Sequence, residues 1–168
     1  MAWQDMKNAV LADTCYCDNQ LAAKDVSVTL PAVNFLTTEV KAMGSMDVVL
    51  AGLMEAMEAT ITKVGVDIGL GRMSTPTKHN YEFRWAQNVL KADGTTAPEG
   101  CKAFITGAPK GFGSIGLEIG SNTENEIAIG CTRYQLFCGG AEILCIDRLS
   151  GICRINGVDY YANISSLL

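Results

Sequence analysis

Histidine is almost missing from this 168-residue sequence: His79 is the only one. A single imidazole excludes the histidine clusters that build most catalytic metal centres. It also leaves a serine or cysteine nucleophile with one imidazole to act as its base. The C-x-x-C spacing of structural zinc and redox motifs does not occur, nor does the G-K-[ST] of a phosphate loop. Apolar stretches are broken by Glu, Asp or Lys well short of the about 20 residues that cross a bilayer, so no transmembrane helix and no membrane partner are predicted. Residues 1–7 hold no uninterrupted apolar core before a cleavage site, so no secretory leader is expected and the chain is predicted to stay in the cytoplasm that makes it. Internal repeats and low-complexity tracts are absent. Basic charge is scarce too. Lys and Arg number 13 against 18 Asp and Glu, a net charge of −5, which argues against a surface built to grip nucleic-acid phosphates.

What is present is apolar and strand-like. The length fits one domain, and a hydrophobic fraction of 48% excludes global disorder. Seven cysteines stand at 15, 17, 101, 131, 138, 145 and 153. The close pair Cys15 and Cys17 has no second pair nearby. Four of the seven fall in apolar runs, where a free thiol behaves as a small buried hydrophobe. Reduced structural thiols are the expectation.

Along the chain, residues 1–25 are polar and weakly patterned, which suggests an N-terminal arm with a short strand around Thr14–Cys17. Val26–Leu30 alternates apolar with polar and stops at Pro31, the mark of a strand with one buried face. Phe35–Ala42 and Met46–Ala51 flank Met43-Gly44-Ser45 and predict a hairpin with a loose tip. Residues 50–59 fit a helical face by composition and a strand by alternation. Gly65–Gly71 suits a short helix or turn. Tyr81–Ala86 alternates aromatics with other side chains and predicts a strand. Lys91–Gly100 reads as a polar loop around Asp93-Gly94, and Cys101–Thr106 as a strand. Pro109–Ile119 reads as a glycine-rich surface loop. Glu124–Phe137, a Gly139-Gly140 turn and Glu142–Asp147 predict a second hairpin. Ile152–Ile155 and an Asn156-Gly157 turn follow, with Ile152, Ile155 and Val158 expected in the core.

The chemical motifs are weak. Gly111–Gly116 spells G-x-G-x-x-G, but Pro109 and Lys110 interrupt the approach and Leu117–Gly120 cannot start a good helix, so a loop is expected rather than a dinucleotide site. Cys15 or Cys17 could serve as a nucleophile only if His79 came near. The pairs Glu55 with Glu58 and Glu124 with Glu126 lie among polar neighbours typical of a solvated face. The methionines at 43, 46, 54 and 57 suit core or interface filling. No cofactor and no metal are expected.

Several blocks, in order, resemble the major tail tube protein of contractile-tailed phages and R-type bacteriocins. The C-terminal block carries Glu142, Asp147, Arg154, Asn156, Gly157, Val158 and Asp159, close to the family's E-x-D strand and R-x-N-G-V-D ending. Ser27–Pro31 is similar to its S-L-T-L-P strand. Thr38-Glu39 through Met46-Asp47-Val48 resembles its hairpin tip without the proline. Leu53–Ala59 matches its L-E-A-M-E-A segment, which places a strand from about Ala56 to Val66. Tyr134 with Gly139–Glu142 matches its penultimate hairpin. The stretch 66–80 is shorter than the family's helical segment, and 107–122 is richer in glycine.

The resemblance implies a mainly β fold, a β-sandwich or split barrel with a small α-helix, as one tail tube domain over 1–168. It implies six copies in a ring with a continuous inner β-barrel, stacked into a tube for passage of genome or effector. The hairpin at 35–51 would contact the next ring through Glu39, Lys41, Met43, Gly44, Ser45 and Met46. Arg154 and Asp159 would lie at the subunit interface. Partners would be further copies, the tail sheath, tape measure and baseplate proteins, with DNA crossing the lumen without specific binding. The place would be a virion tail or tail-like particle, assembled in a bacterial host's cytoplasm. A type VI secretion tube protein shares the ring architecture. A cytosolic thiol enzyme or small-ligand β-barrel using Cys15 or Cys17 is the alternative of another class.

Overall fold

In the computed structural model, which describes residues 4–168, most of the chain pairs into one antiparallel sheet. Its strands are β1 (Met6–Cys17), β2 (Gln20–Lys24), β3 (Ser27–Thr29), β6 (Met57–Val64), β7 (His79–Leu90), β8 (Thr96–Pro109), β9 (Glu124–Cys138), β10 (Ala141–Asp147), β11 (Ile152–Ile155) and β12 (Val158–Asp159). Two further strands, β4 (Phe35–Lys41) and β5 (Ser45–Met54), pair only with each other. Short helices α1 (Ile68–Met73) and α2 (Ala162–Ser165) complete the chain.

The main path runs β12-β11-β10-β9-β8-β7-β1-β2. β9 is its centre because its two halves have different neighbours. One edge pairs with β8 from Ile129 to Cys138. The other edge pairs first with β6, from Glu124 to Cys131, and then with β10, from Arg133 to Cys138. The handover falls at Thr132. Thr106 faces Arg133 and Gly107 faces Cys131, so Thr132 is an extra residue, a β-bulge. Its hydroxyl donates to Thr106 O at 3.1 Å and its carbonyl accepts from Arg148 N at 3.0 Å. The bulge reverses the inward phase. Ile127, Ile129 and Cys131 face the core before it and Tyr134 after it. The backbones crowd here, and a Cβ on Gly107 would lie 2.2 Å from Gly130 O.

The core lies between the inner faces of β1, β6, β7, β8 and β9. Cys15, Ala59, Ile61, Ala103, Ile127 and Ile129 are fully buried. α1 closes it with Leu70 and Met73, and Tyr81 Oη donates to Met73 O at 2.8 Å. Asp67 caps α1 by accepting from Leu70 N at 2.9 Å. The same carboxylate receives Lys63 Nζ at 2.5 Å, which pairs the charge of an otherwise buried lysine.

The mainly β class with short helices is as expected, and the glycine-rich stretch does give a helix. Several boundaries differ. The short strand around Thr14–Cys17 is the end of a twelve-residue strand, so most of the expected arm is sheet; residues 1–3 of that arm lie outside the described residues. The polar loop at 91–100 shrinks to a turn, because β8 begins at Thr96 and pairs with β7 up to Leu90. His79 opens β7 instead of lying in a loop, and it is buried. In the C-terminal block Cys153 takes the core position, Ile152 and Ile155 are half-buried, and Val158 is exposed. Ile155 shares the face of Cys153 but is only half-covered at the strand's end, and Ile152 lies on the other face.

Candidate assembly interface

The β4–β5 hairpin stands outside the main sheet. Its register runs from Thr37↔Val49 to Lys41↔Ser45, with no third strand on either side among the described residues. Both faces meet solvent. Val40, Met46, Val48 and Val49 are exposed, and Met43 at the tip is fully so. A lone two-stranded ribbon is marginal in water, and apolar side chains on both faces mark a surface that another body covers. Glu39 stands directly opposite Asp47, a like-charge pair that weakens a ribbon. Ser45 donates its hydroxyl to Glu39 across the tip. The base is anchored by Glu55 N donating to Asn34 O at 2.9 Å and by Arg148 donating to Glu55 O at 3.1 Å. Thus the six tip residues Glu39, Lys41, Met43, Gly44, Ser45 and Met46 do come together, at the far end of one exposed ribbon.

Arg154 and Asp159 lie on the last two strands, paired with each other across β11 and β12. Arg154 forms a fork on Glu142, with Nε at 2.5 Å and Nη2 at 3.2 Å from its oxygens. Gln135 Nε2 donates to the same carboxylate at 2.6 Å. The guanidinium, with Gln135 beside it, holds the Glu142 carboxyl below the usual range. Asp159 accepts from Cys153 N at 3.2 Å and Tyr161 N at 2.9 Å. Asp147 accepts from Leu149 N and Ser150 N, each at 3.0 Å. The polar residues of the C-terminal block therefore bind their own chain, which sequence spacing does not reveal.

Sheet edges are the other unpartnered surfaces. Among the described residues β2 and β12 each have one neighbour. The first part of β1, residues 6–13, pairs with β7 alone and exposes Met6, Val10 and Leu11. Such an edge is a template for another strand. A cleft of about 560 Å³ lies nearby, lined by Thr14, Arg84, Trp85, Lys102, Phe104 and Phe137 among others. The rings of Phe104 and Phe137 meet edge to face with centroids 5.8 Å apart. Its wall holds no paired nucleophile and base.

All seven cysteines are free thiols and six are buried, but one of them does meet the single histidine. Cys17, Asp18 and His79 meet within 4.8 Å of one another, although His79 is far from the other two in sequence. His79 Nδ1 lies 2.6 Å from Asp18 Oδ2, and Nε2 lies 3.0 Å from Thr75 O and 3.2 Å from Thr77 Oγ1. Both ring nitrogens are thus engaged away from the sulfur. Burial pushes the Cys17 thiol up to about 11 and the Cys15 thiol up to about 12, against thiolate formation. The three side chains form a donor set a cation could use, but their present contacts tie the β1–β2 turn to the start of β7. Gly111–Gly116 is extended loop outside any strand–helix unit.

The fold has a solved counterpart. A chain of the sheath–tube complex of PVC, an extracellular contractile injection system in its extended state, superposes with a TM-score of 0.51 at 12% identity, over 75% of this chain and 88% of that one. Nothing among curated proteins matches. The family model for phage tail tube protein FII matches residues 7–168. That span takes in the exposed hairpin, the divided β9 and the C-terminal block alike, and the chain belongs to the phage tail tube protein FII family, whose role is structural.

Proposed function

We propose that this protein self-assembles as hexameric rings stacked into the inner tube of a contractile tail or tail-like particle, a conduit for genome or effector. The observation that carries the reading is the β4–β5 ribbon, apolar on both faces and unpaired with the main sheet. In this arrangement the tip residues 39–46 dock on the neighbouring ring. The free edges of the sheet are completed by adjacent copies, which removes exposed edges by closure. Arg154 and Asp159, on the last two strands, then sit at the boundary between copies. A sheath protein wraps the outside, and tape measure and baseplate proteins meet the tube's interior and end. Assembly takes place in a bacterial host's cytoplasm. Six copies at −5 each carry about −30 per ring, so DNA with about one charge per 1.7 Å is repelled and passes without being held.

The test is electron microscopy of purified protein beside a variant with Met43, Gly44 and Ser45 all replaced by Asp. Wild type should form tubes. The variant should stop at isolated rings, because like charges repeated at every contact cost several kcal/mol each. Normal tubes from the variant would overturn the assignment of the hairpin, and a wild type that stays monomeric would overturn the assembly.

A further inference from the structure

Cys101 on β8 and Cys138 at the end of β9 face each other directly in register. Their sulfurs are 3.5 Å apart. The next pair outward is joined by Gly139 N donating to Gly100 O at 3.0 Å, which makes 101 and 138 a non-hydrogen-bonded pair. In such pairs the Cα atoms approach to about 4.5 Å, inside the about 4.4–6.8 Å range that a disulfide spans. Three polar side chains converge on the Cys138 sulfur. Lys7 Nζ lies 3.4 Å away, Gln87 Nε2 3.3 Å and Glu99 Oε2 3.5 Å, while Lys7 and Glu99 pair at 2.8 Å. Cys138 is partly exposed and Cys101 is buried beneath it.

We propose that Cys101 and Cys138 are a redox modification site, a cross-strand dithiol that closes to a disulfide when the chain meets a low-molecular-weight disulfide. Cys138, the sulfur within reach of solvent, attacks one sulfur of the oxidant. A protein–small-molecule mixed disulfide forms and one small thiol leaves. Cys101 then attacks the Cys138 sulfur, and the second small thiol leaves. Two protein thiols lose two electrons, the oxidant gains them, and the two thiol protons end on the released thiols. Burial pushes the Cys101 thiol up to about 11, so Cys101 suits the second, intramolecular step, where proximity substitutes for thiolate population. The bond would tie β8 to β9 just before the Gly139-Gly140 turn.

The experiment exposes the folded chain, purified under reducing conditions, to oxidised glutathione at neutral pH and measures intact mass. The expected result is a loss of about 2 Da, with digestion without reductant yielding a Cys101–Cys138 linked peptide. Cys101→Ser should instead retain a glutathione adduct of about 305 Da on Cys138. Three outcomes in wild type would overturn the proposal: a persistent adduct on Cys138, a linkage between other cysteines, or unmodified thiols in a chain folded by circular dichroism. Micrographs of the same sample report on tube assembly separately, so the failure of either idea is distinguishable.

Discussion

Glu142, Arg154 and Gln135 form a closed polar set on adjacent strands, and this changes the meaning of the residues that make the sequence readable. As letters, the C-terminal block signals a family. As side chains, its residues lock β9, β10 and β11 together and hold the closing turns, a task that spacing alone cannot reveal because it shows no pairing partners. The Asn156-Gly157 turn is legible for a local reason. Both residues take positive φ, 48° and 82°, the conformation a tight two-residue hairpin demands. Gly157→Val should therefore cost about 1–3 kcal/mol of backbone strain, read as a lower denaturant midpoint. Equal stability would show that the turn can be rebuilt at no cost. The facing of Val158 and Ile152 escapes the sequence because β11 and β12 lie at the sheet's end, where alternation is too short to fix which side meets the core.

At the scale of elements, alternation is informative where one face is buried and silent elsewhere. β6, β8 and β9 switch regularly between buried and exposed, and the central stretch of each is legible as a strand. The first half of β1 is exposed along its whole length, so no inward face exists to write a period-two pattern, and its sequence resembles an arm. The bulge at Thr132 is invisible for a different reason, since an extra residue leaves composition unchanged and only shifts phase. The packing beside it supplies a test. Gly107→Ala puts a methyl group against the Gly130 carbonyl, and relief requires β8 and β9 to move apart. A loss of about 1–3 kcal/mol is expected, measured by thermal or urea unfolding. A variant as stable as wild type would mean the handover between β6 and β10 does not depend on that close approach.

For the molecule as a whole, the acid limb of stability follows from its carboxylates. Asp18 is held low by the Asn80 amide and His79, Asp67 by Lys63, Asp93 by Thr95, Glu99 by Lys7 and Gln87, and Glu142 by Arg154 and Gln135. Each titrates in the folded chain below its ordinary value of 3.8 or 4.5. Their stabilisation is complete above those values and is lost as the pH falls through the folded ones. Asp13, pushed up by burial, works in the opposite sense, one group against five. The unfolding temperature should drop between about pH 5 and pH 3; a flat profile would show that these contacts are too exposed to matter. Fold class and family are legible at this scale because several blocks recur in order. The single divided strand that organises the sheet is not, because pairing partners far apart in sequence leave no local trace.

That divided strand also dictates when the chain can fold during its own synthesis. The β1-β2-β7-β8 group, the β3–β6 pair and the β4–β5 ribbon share no strand pairing with one another; the first two join one sheet only through β9. Until residue 138 has left the ribosome, the nascent chain keeps open strand edges where β9 will pair. Its decisive contacts are long-range, which makes consolidation slow and leaves those edges open to chaperones or to neighbouring nascent copies. The sheet as a whole therefore closes only when the last third of the chain has emerged.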